Sequence, residues 1–418
     1  MGVVDTVMVG PLGPEAIGAV GVAVSIQMAL TIFGMGVLLG LDTLVSQAFG
    51  AGDLDDCHRW LFDGLALAGL LTVPTLIISG VIWFAIPSMG FHPLVAPLLQ
   101  SYFSILLWST VPLLFYASCR RYLQGLHHVT PIMFALVSAN VMNALGNYAL
   151  IYGHWGFPRL GIVGSAWATV IARVYILTVL LVTIFWFRGS GGTWHAFRFD
   201  WSRLGRLWRL GYPAASQFTA EVGVFALATM MAGMLDPISS ASHQIALNMA
   251  GVAFMIPLGL ASAGAVRVGH AVGAGDPRRA AASGWMAIVL GIAFMSASGL
   301  LFLTLPRQLI GLFSKDPAVL ELGTSLLFIA AVFALFDGVQ GVVTGTLRGI
   351  GNTRTPMIVN LCAHWLLGLP VGYTLCFILG YGVRGLWIGL SVGLIVVAVI
   401  LIGVWSRKIH HYRLTGHL

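Results

Sequence analysis

Runs of about twenty apolar residues, separated by short polar breaks, recur along the whole chain. A run of that length crosses a bilayer as an α-helix. The pattern predicts helices near 1–10, 17–48, 59–86, 94–122, 130–153 and 161–187, then near 207–233, 240–271, 279–304, 318–346, 356–379 and 384–406. Their loops are marked by Gly, Pro or charge, as at 50–56 and 273–277. The longest polar stretch, 188–206, is rich in Arg and Gly and is expected to join two lobes, 1–187 and 207–406. Residues 407–418 then form a cytoplasmic tail.

Composition fixes the class. Only 8% of the 418 residues are charged and 58% are apolar, with a mean hydropathy of +0.93, whereas a soluble domain carries about a quarter charged residues. The chain reads as an all-α polytopic membrane protein, multi-pass in the plasma (inner) membrane. The net charge of +7 reflects topology, and no nucleic-acid partner is expected. Sixteen of the 21 Lys and Arg fall on one side: Arg59, Arg120, Arg121, Arg188, Arg198, Arg203, Arg206, Arg209, Arg267, Arg278, Arg279, Arg348, Arg354, Arg407, Lys408 and Arg413. That bias marks the side as cytoplasmic. The four cysteines show neither metal spacing nor a paired framework, so no disulfide is expected.

The chain also repeats itself. Val45-Ser-Gln-Ala-Phe-Gly-Ala-Gly-Asp53 returns 223 positions later as Val268-Gly-His-Ala-Val-Gly-Ala-Gly-Asp276. Gly125 with Pro131 is echoed by Gly349 with Pro356, and Gly161-Ile-Val-Gly164 by Gly382-Val-Arg-Gly385. Three landmarks in one order at nearly one spacing indicate two tandem copies of a six-helix unit. At that offset the opening of the second half's first helix, 209–226, maps onto positions of which only 1–3 are present. The first helix is therefore expected to be cut short, by a late start codon or because the chain is a fragment.

A carboxylate at mid-bilayer costs roughly 2.5–3.5 kcal/mol on insertion scales, so acids inside apolar helices need a reason. Asp5, Glu221 and Asp337 are such acids. Gln217 precedes Glu221 by four residues, and Gln340 and Thr344 follow Asp337 by three and seven, so each set shares a helix face. Such faces suit a cavity where a carboxylate takes up a proton or coordinates Na+; the plainer alternative is hydrogen bonding between helices. Asn143 and Asn147, four apart, and Thr169 are expected to share a pocket with Asp5, although asparagines also serve as interhelical glue. Arg173 needs a partner; pairing with Asp5, lining a cavity and a structural ion pair all remain open. Asp42 and Asp63 read as solvated near the cytoplasmic interface. The Gly-Ala-Gly-Asp loops lack a following Gly-Lys-Ser/Thr and are not phosphate loops. His127-His128 and His410-His411 have no third metal ligand.

Taken in order, Val4-Asp-Thr-Val-Met-Val-Gly10, Val45-Ser-Gln-Ala-Phe-Gly-Ala-Gly52, Leu210-Gly-Tyr-Pro213, Ala220-Glu-Val-Gly-Val-Phe-Ala226, Ser242-His-Gln-Ile-Ala-Leu-Asn248, Asp337-Gly-Val-Gln340 and Leu347-Arg-Gly349 resemble the multidrug and toxic compound extrusion (MATE) family, NorM-like branch. The resemblance spans essentially the whole chain. It implies a MATE/MOP-type fold of twelve helices in two six-helix bundles related by a pseudo-twofold, alternating between inward and outward openings. It further implies a secondary antiporter that exports cationic or amphiphilic compounds against Na+ or H+, with no other cofactor, working as a monomer. By the same resemblance Asp5, with Asn143 and Asn147, looks like the first-lobe site, and Glu221 with Asp337 like the second-lobe cation site. Phe333 stands where some relatives have a tyrosine.

Two other readings compete. A lipid-linked oligosaccharide flippase of the wider superfamily should line its cavity with several basic groups, and Arg173 alone is placed there by the sequence. An intramembrane enzyme would need a nucleophile with its base, or metal ligands, and no such set is apparent.

Overall fold

The computed structural model describes residues 2–187 and 200–417. The described chain is helical throughout. Its first half contains α1 (Gly2–Val9), α2 (Pro14–Val37), α3 (Gly40–Gly50), α4 (Leu54–Ala85), α5 (Ala96–Leu106), α6 (Thr110–Gly125), α7 (Thr130–Tyr152) and α8 (Ile162–Phe187). Then follow α9 (Trp201–Gly233), α10 (Pro237–Gly273), α11 (Pro277–Thr304), the short α12 (Pro306–Gly311), α13 (Pro317–Gly349), α14 (Arg354–Leu361), α15 (Leu369–Tyr373) and α16 (Val383–Thr415). Among the described residues, ten stretches are long and apolar enough to cross a membrane. Neither α1, with eight residues, nor α9 is among them; α9 carries Arg203, Arg206, Arg209 and Glu221.

Several predicted boundaries shift. The helix expected over 17–48 breaks at Leu38–Leu39 into α2 and α3. The one expected over 94–122 tightens to a 3₁₀ turn at Leu107–Ser109, ahead of Pro112. Over 356–379 the backbone widens into π-helical turns at Cys362–Gly368 and Thr374–Ile378, on either side of Pro370, which has no N–H to give to the ladder. Residues 201–206, read as linker, already belong to α9, and 407–415, read as a tail, continue α16. Residues 188–199 of the linker, with Arg188 and Arg198, lie outside the described residues.

The chain groups into two compact units. One is drawn from 1–41 and 53–211, the other from 42–52 and 212–418. This differs from the lobe boundary read from the sequence at two places, and each has a physical cause.

The first place is the repeated nonapeptide. In the second unit, the copy in α3 packs against the copy at the end of α10. A Cβ on Gly50 would collide with the backbone carbonyl of His270, and one on Gly273 with that of Gln47. Gly50 and Gly273 are repeat equivalents, as are Gln47 and His270, so the contact is reciprocal. A third equivalent pair, Ser46 and Gly269, meets at the same crossing, where a Cβ on Gly269 would strike Ser46 Oγ. The rest of the motif ends the helix and starts the next. Gly52 (φ +78°) and Gly275 (φ +66°) take the left-handed turn. Asp53 Oδ1 then accepts from Asp56 N at 2.8 Å, and Asp276 Oδ1 from Arg279 N at 2.9 Å, capping α4 and α11. The repeat's fixed glycines and its aspartate thus each have a place in crossing, turn or cap.

The second place is the start of α9, which is held in the first unit by Arg203. Its Nε donates to Asp63 Oδ2 and its Nη1 to Asp56 Oδ1, both at 2.6 Å. The guanidinium lies 3.8 Å over the Trp60 ring, whose Nε1 donates to Asp56 Oδ2 at 2.8 Å. Asp63, read from the sequence as solvated, is 2% exposed. Asp42, read the same way, is also buried, with its Oδ2 3.6 Å from Arg348 Nη2.

The reciprocal crossing is testable. Gly50→Ala and Gly273→Ala should each destabilise the protein by about 1–3 kcal/mol, the usual result of overpacking. Gly251→Ala, in the same α10 but with nothing within 4 Å of the added carbon, should leave the thermal unfolding midpoint in detergent unchanged or slightly raised. A Gly273→Ala protein melting like the unaltered chain would remove the crossing from the account.

Candidate functional site

Three polar residues from two helices of the first unit converge on one carboxylate of a third. Asp5 stands on α1, Asn143 and Asn147 one turn apart on α7, and Thr169 on α8. Asn143 Nδ2 and Asn147 Nδ2 donate to Asp5 Oδ1 at 3.0 and 2.8 Å, and Thr169 Oγ1 donates to Asp5 Oδ2 at 2.7 Å. Asn143 Nδ2 also reaches Thr169 Oγ1 at 3.2 Å. All four side chains are buried, Asp5 being 1% exposed. An acid can sit in such surroundings only if its oxygens are met by donors, and here three donors meet two oxygens. The carbonyl oxygens of both asparagines are buried without a hydrogen-bond partner, so the pocket keeps acceptor capacity beside the carboxylate.

Arg173, one turn beyond Thr169, does not complete this cluster. Its Nη1 donates to Ser109 Oγ at 2.5 Å, and Ser109 Oγ in turn donates to the Leu106 carbonyl. Among the described residues no ion pair joins Arg173 to Asp5; the 3₁₀ turn before α6 intercepts the guanidinium. Of the three readings left open by the sequence, the ion pair with Asp5 is therefore not formed.

The second cluster lies wholly in the second unit, between α9 and α13. Glu221 Oε1 accepts from Gln217 Nε2, one turn earlier on α9, and from Gln340 Nε2 on α13, each at 3.1 Å. Asp337, nine-tenths buried, precedes Gln340 by three residues, and Thr344 Oγ1 lies 3.5 Å from Gln340 Oε1. The structure thus brings together Glu221, Gln217, Gln340 and Thr344, with Asp337 on the same stripe of α13. Two carboxylates with amide oxygens form a hard-oxygen set. That chemistry suits a proton or Na+ and not a soft transition metal. Among the described residues there is no group of three or more His, Cys, Asp or Glu able to hold a metal ion.

An aromatic layer lies one turn away along α9 and α13. Phe333 packs edge-on against Phe225 at 6.1 Å and against Trp387 at 5.2 Å. Trp387 Nε1 donates to His243 Nδ1 at 3.1 Å, and His243 Nε2 lies 3.0 Å from Thr229 Oγ1. Because the indole can only donate, a neutral His243 carries its proton on Nε2. Sequence reasoning missed this polar group, since a lone His in an apolar helix gives no sign of its partners. It also missed the Gln27 Nε2 to Thr110 Oγ1 bond of 2.7 Å in the first unit, and the burial of Asp42 beside Arg348. For that last pair the arginine late in α13 was the available signal.

Comparison with known proteins places this architecture. The MatE family profile matches residues 1–149 and 213–374. A relative from Brucella suis biovar 1 (strain 1330), named "Probable multidrug resistance protein NorM", is 34% identical over 424 residues, covering 97% of this chain and 88% of its own length. One of the same name from Burkholderia pseudomallei (strain K96243) is 36% identical over 417 residues, covering 98% and 88%. Among solved structures, the eukaryotic MATE transporter AtDTX14 superposes with a TM-score of 0.86 at 24% identity, covering 99% of this chain and 94% of its own. A MATE protein in a bent conformation reaches 0.89 at 21% identity, covering 99% and 92%. A polytopic all-helical chain with this fold, this profile and these relatives belongs to the MatE family of multi-pass membrane proteins.

Proposed function

We propose that the protein is a multidrug efflux transporter: a secondary antiporter that exports cationic or amphiphilic compounds in exchange for Na+ or H+. The relatives' names as multidrug resistance proteins support the substrate class. The observation that carries the coupling is Glu221, an acid among apolar helices that is met by two amides and stands beside a second acid, Asp337. Residues 1–187 and 207–406 act as two lobes that alternate access, and Asp5 with Asn143, Asn147 and Thr169 forms a further ion or proton site. An ion drives such a cycle only if it binds the two states with different affinity. Each acid must therefore change its surroundings as the lobes move, and amide partners that release or regain a carboxylate oxygen provide that change.

In proteoliposomes holding an Na+ or H+ gradient, Glu221→Gln and Asp337→Asn should each reduce gradient-driven movement of a fluorescent organic cation to the level of protein-free vesicles. Transport at the unaltered rate by both variants, under both gradients, would remove these acids from the mechanism.

Asp5 gives a separate expectation. Asp5→Asn keeps the shape and an acceptor for Asn143 and Asn147, so the protein should stay folded while gradient-driven export is lost. Asp5→Leu strands the buried amides and should destabilise by about 1–3 kcal/mol. Thermal unfolding and vesicle transport, measured on both variants, separate the structural part of Asp5 from the functional one. Full export by a folded Asp5→Asn protein would leave this pocket with packing alone.

A further inference from the structure

We propose that Arg348 is an electrostatic plug that keeps the coupling cation from leaking between the Glu221–Asp337 site and the arginine-rich face of the membrane. This rests on the ion-coupling reading above.

The path to be plugged is laid out along α13. Asp337, Gln340, Thr344 and Arg348 follow one another at steps of three, four and four, which places them on one stripe of the helix. Their polar groups link up: Gln340 holds Glu221, and Thr344 reaches Gln340. Beyond Thr344 the stripe opens onto a small cavity of ≈ 10 Å³, room for about one water molecule. Its polar lining is Gln217, Thr344, Arg348 and Thr353. Gln217 is itself a ligand of Glu221. The cavity therefore joins the acid site at one end and Arg348 at the other.

The chemistry of Arg348 determines what can pass. A guanidinium is always charged and has donors only. It is 5% exposed here, and its Nε is buried without a hydrogen-bond partner. A water in the cavity gives its lone pair to such a donor and turns its hydrogens back toward Gln217 and Thr344. So oriented, it faces the acid site with its hydrogens, and taking a proton from Glu221 would set a hydronium against the charge of the guanidinium. A sodium ion entering the same space meets a fixed charge of its own sign in a low-dielectric wall.

Simple ion pairing does not account for the placement. Arg203 shows what a structural clasp looks like in this protein: two carboxylates at 2.6 Å and an indole beneath. Arg348 has one carboxylate, Asp42, at 3.6 Å. The pair anchors the side chain at one edge, and the remaining donors stand across the end of the polar stripe.

The test uses the purified full chain in liposomes with an imposed H+ or Na+ gradient and no organic cation. The unaltered protein should be as tight as protein-free vesicles. Arg348→Gln should leak at least about tenfold faster, the lower end of what a fixed charge does to local ion concentration. Adding Glu221→Gln to Arg348→Gln should abolish the leak, because the path ends at that carboxylate. Asp42→Asn, which keeps the guanidinium, should stay tight. The plug is overturned if Arg348→Gln is tight while still folded by thermal melt and gel filtration, or if its leak survives Glu221→Gln. It is equally overturned if Asp42→Asn leaks as fast, since loosened packing would then be the cause. Should Arg348→Gln fail to fold, Arg348→Met with Asp42→Leu removes both charges at similar volume, and the same leak is expected from it; tight vesicles would overturn the plug. Loss of gradient-driven export in Glu221→Gln with a tight Arg348→Gln protein would reject the plug and leave the transporter reading standing. Unimpaired export by Glu221→Gln and Asp337→Asn would reject that reading itself.

Discussion

A charged or strongly polar side chain placed among apolar helices must be matched there, because no water is at hand to solvate it. Most of what distinguishes this chain from a generic helical bundle follows from that constraint. Asp5 recruits amides and a hydroxyl from two other helices. Glu221 recruits an amide from its own helix and one from α13. Arg203 recruits two carboxylates and a tryptophan. In each case the match ties together elements that lie far apart in sequence, so the polar groups, like the apolar packing, specify which helices adjoin.

The second organising device is close helix approach at small residues, which membrane helices use because lipid is as apolar as their own side chains. The α3–α10 crossing is the clearest instance. Backbone carbonyls occupy the space that a methyl group at Gly50 or Gly273 would need. The same nine residues then turn the chain and cap the next helix. One short motif thus serves packing, reversal and initiation together.

Much of this was legible in the sequence, and the exceptions are instructive. Polar residues four apart in an apolar run, such as Asn143 and Asn147, advertise a shared face, and a buried acid such as Asp5 is what such a face can serve. Glu221 with Gln217 is legible for the same reason. The break at Leu38–Leu39 is not, because the run stays apolar across it. Asp42 and Asp63 were misjudged since distance from a helix end says nothing about a distant arginine folding over them. Of the readings open for Arg173, the pair with Asp5 is not formed for the converse reason: Ser109, a neutral residue in a 3₁₀ turn, takes its Nη1. Partners contributed from remote parts of the chain are what a one-dimensional reading leaves out.

The reciprocity of the nonapeptide crossing has an implication for ancestry. A contact in which equivalent positions swap roles, Gly50 with Gln47's copy and Gly273 with Gln47 itself, has the geometry of an isologous interface between identical subunits. A single half-length ancestor would have possessed both faces of it and been able to associate with its twin. Within one chain the two copies need not stay identical, and Ser46 opposite Gly269 is one of the three positions where they differ.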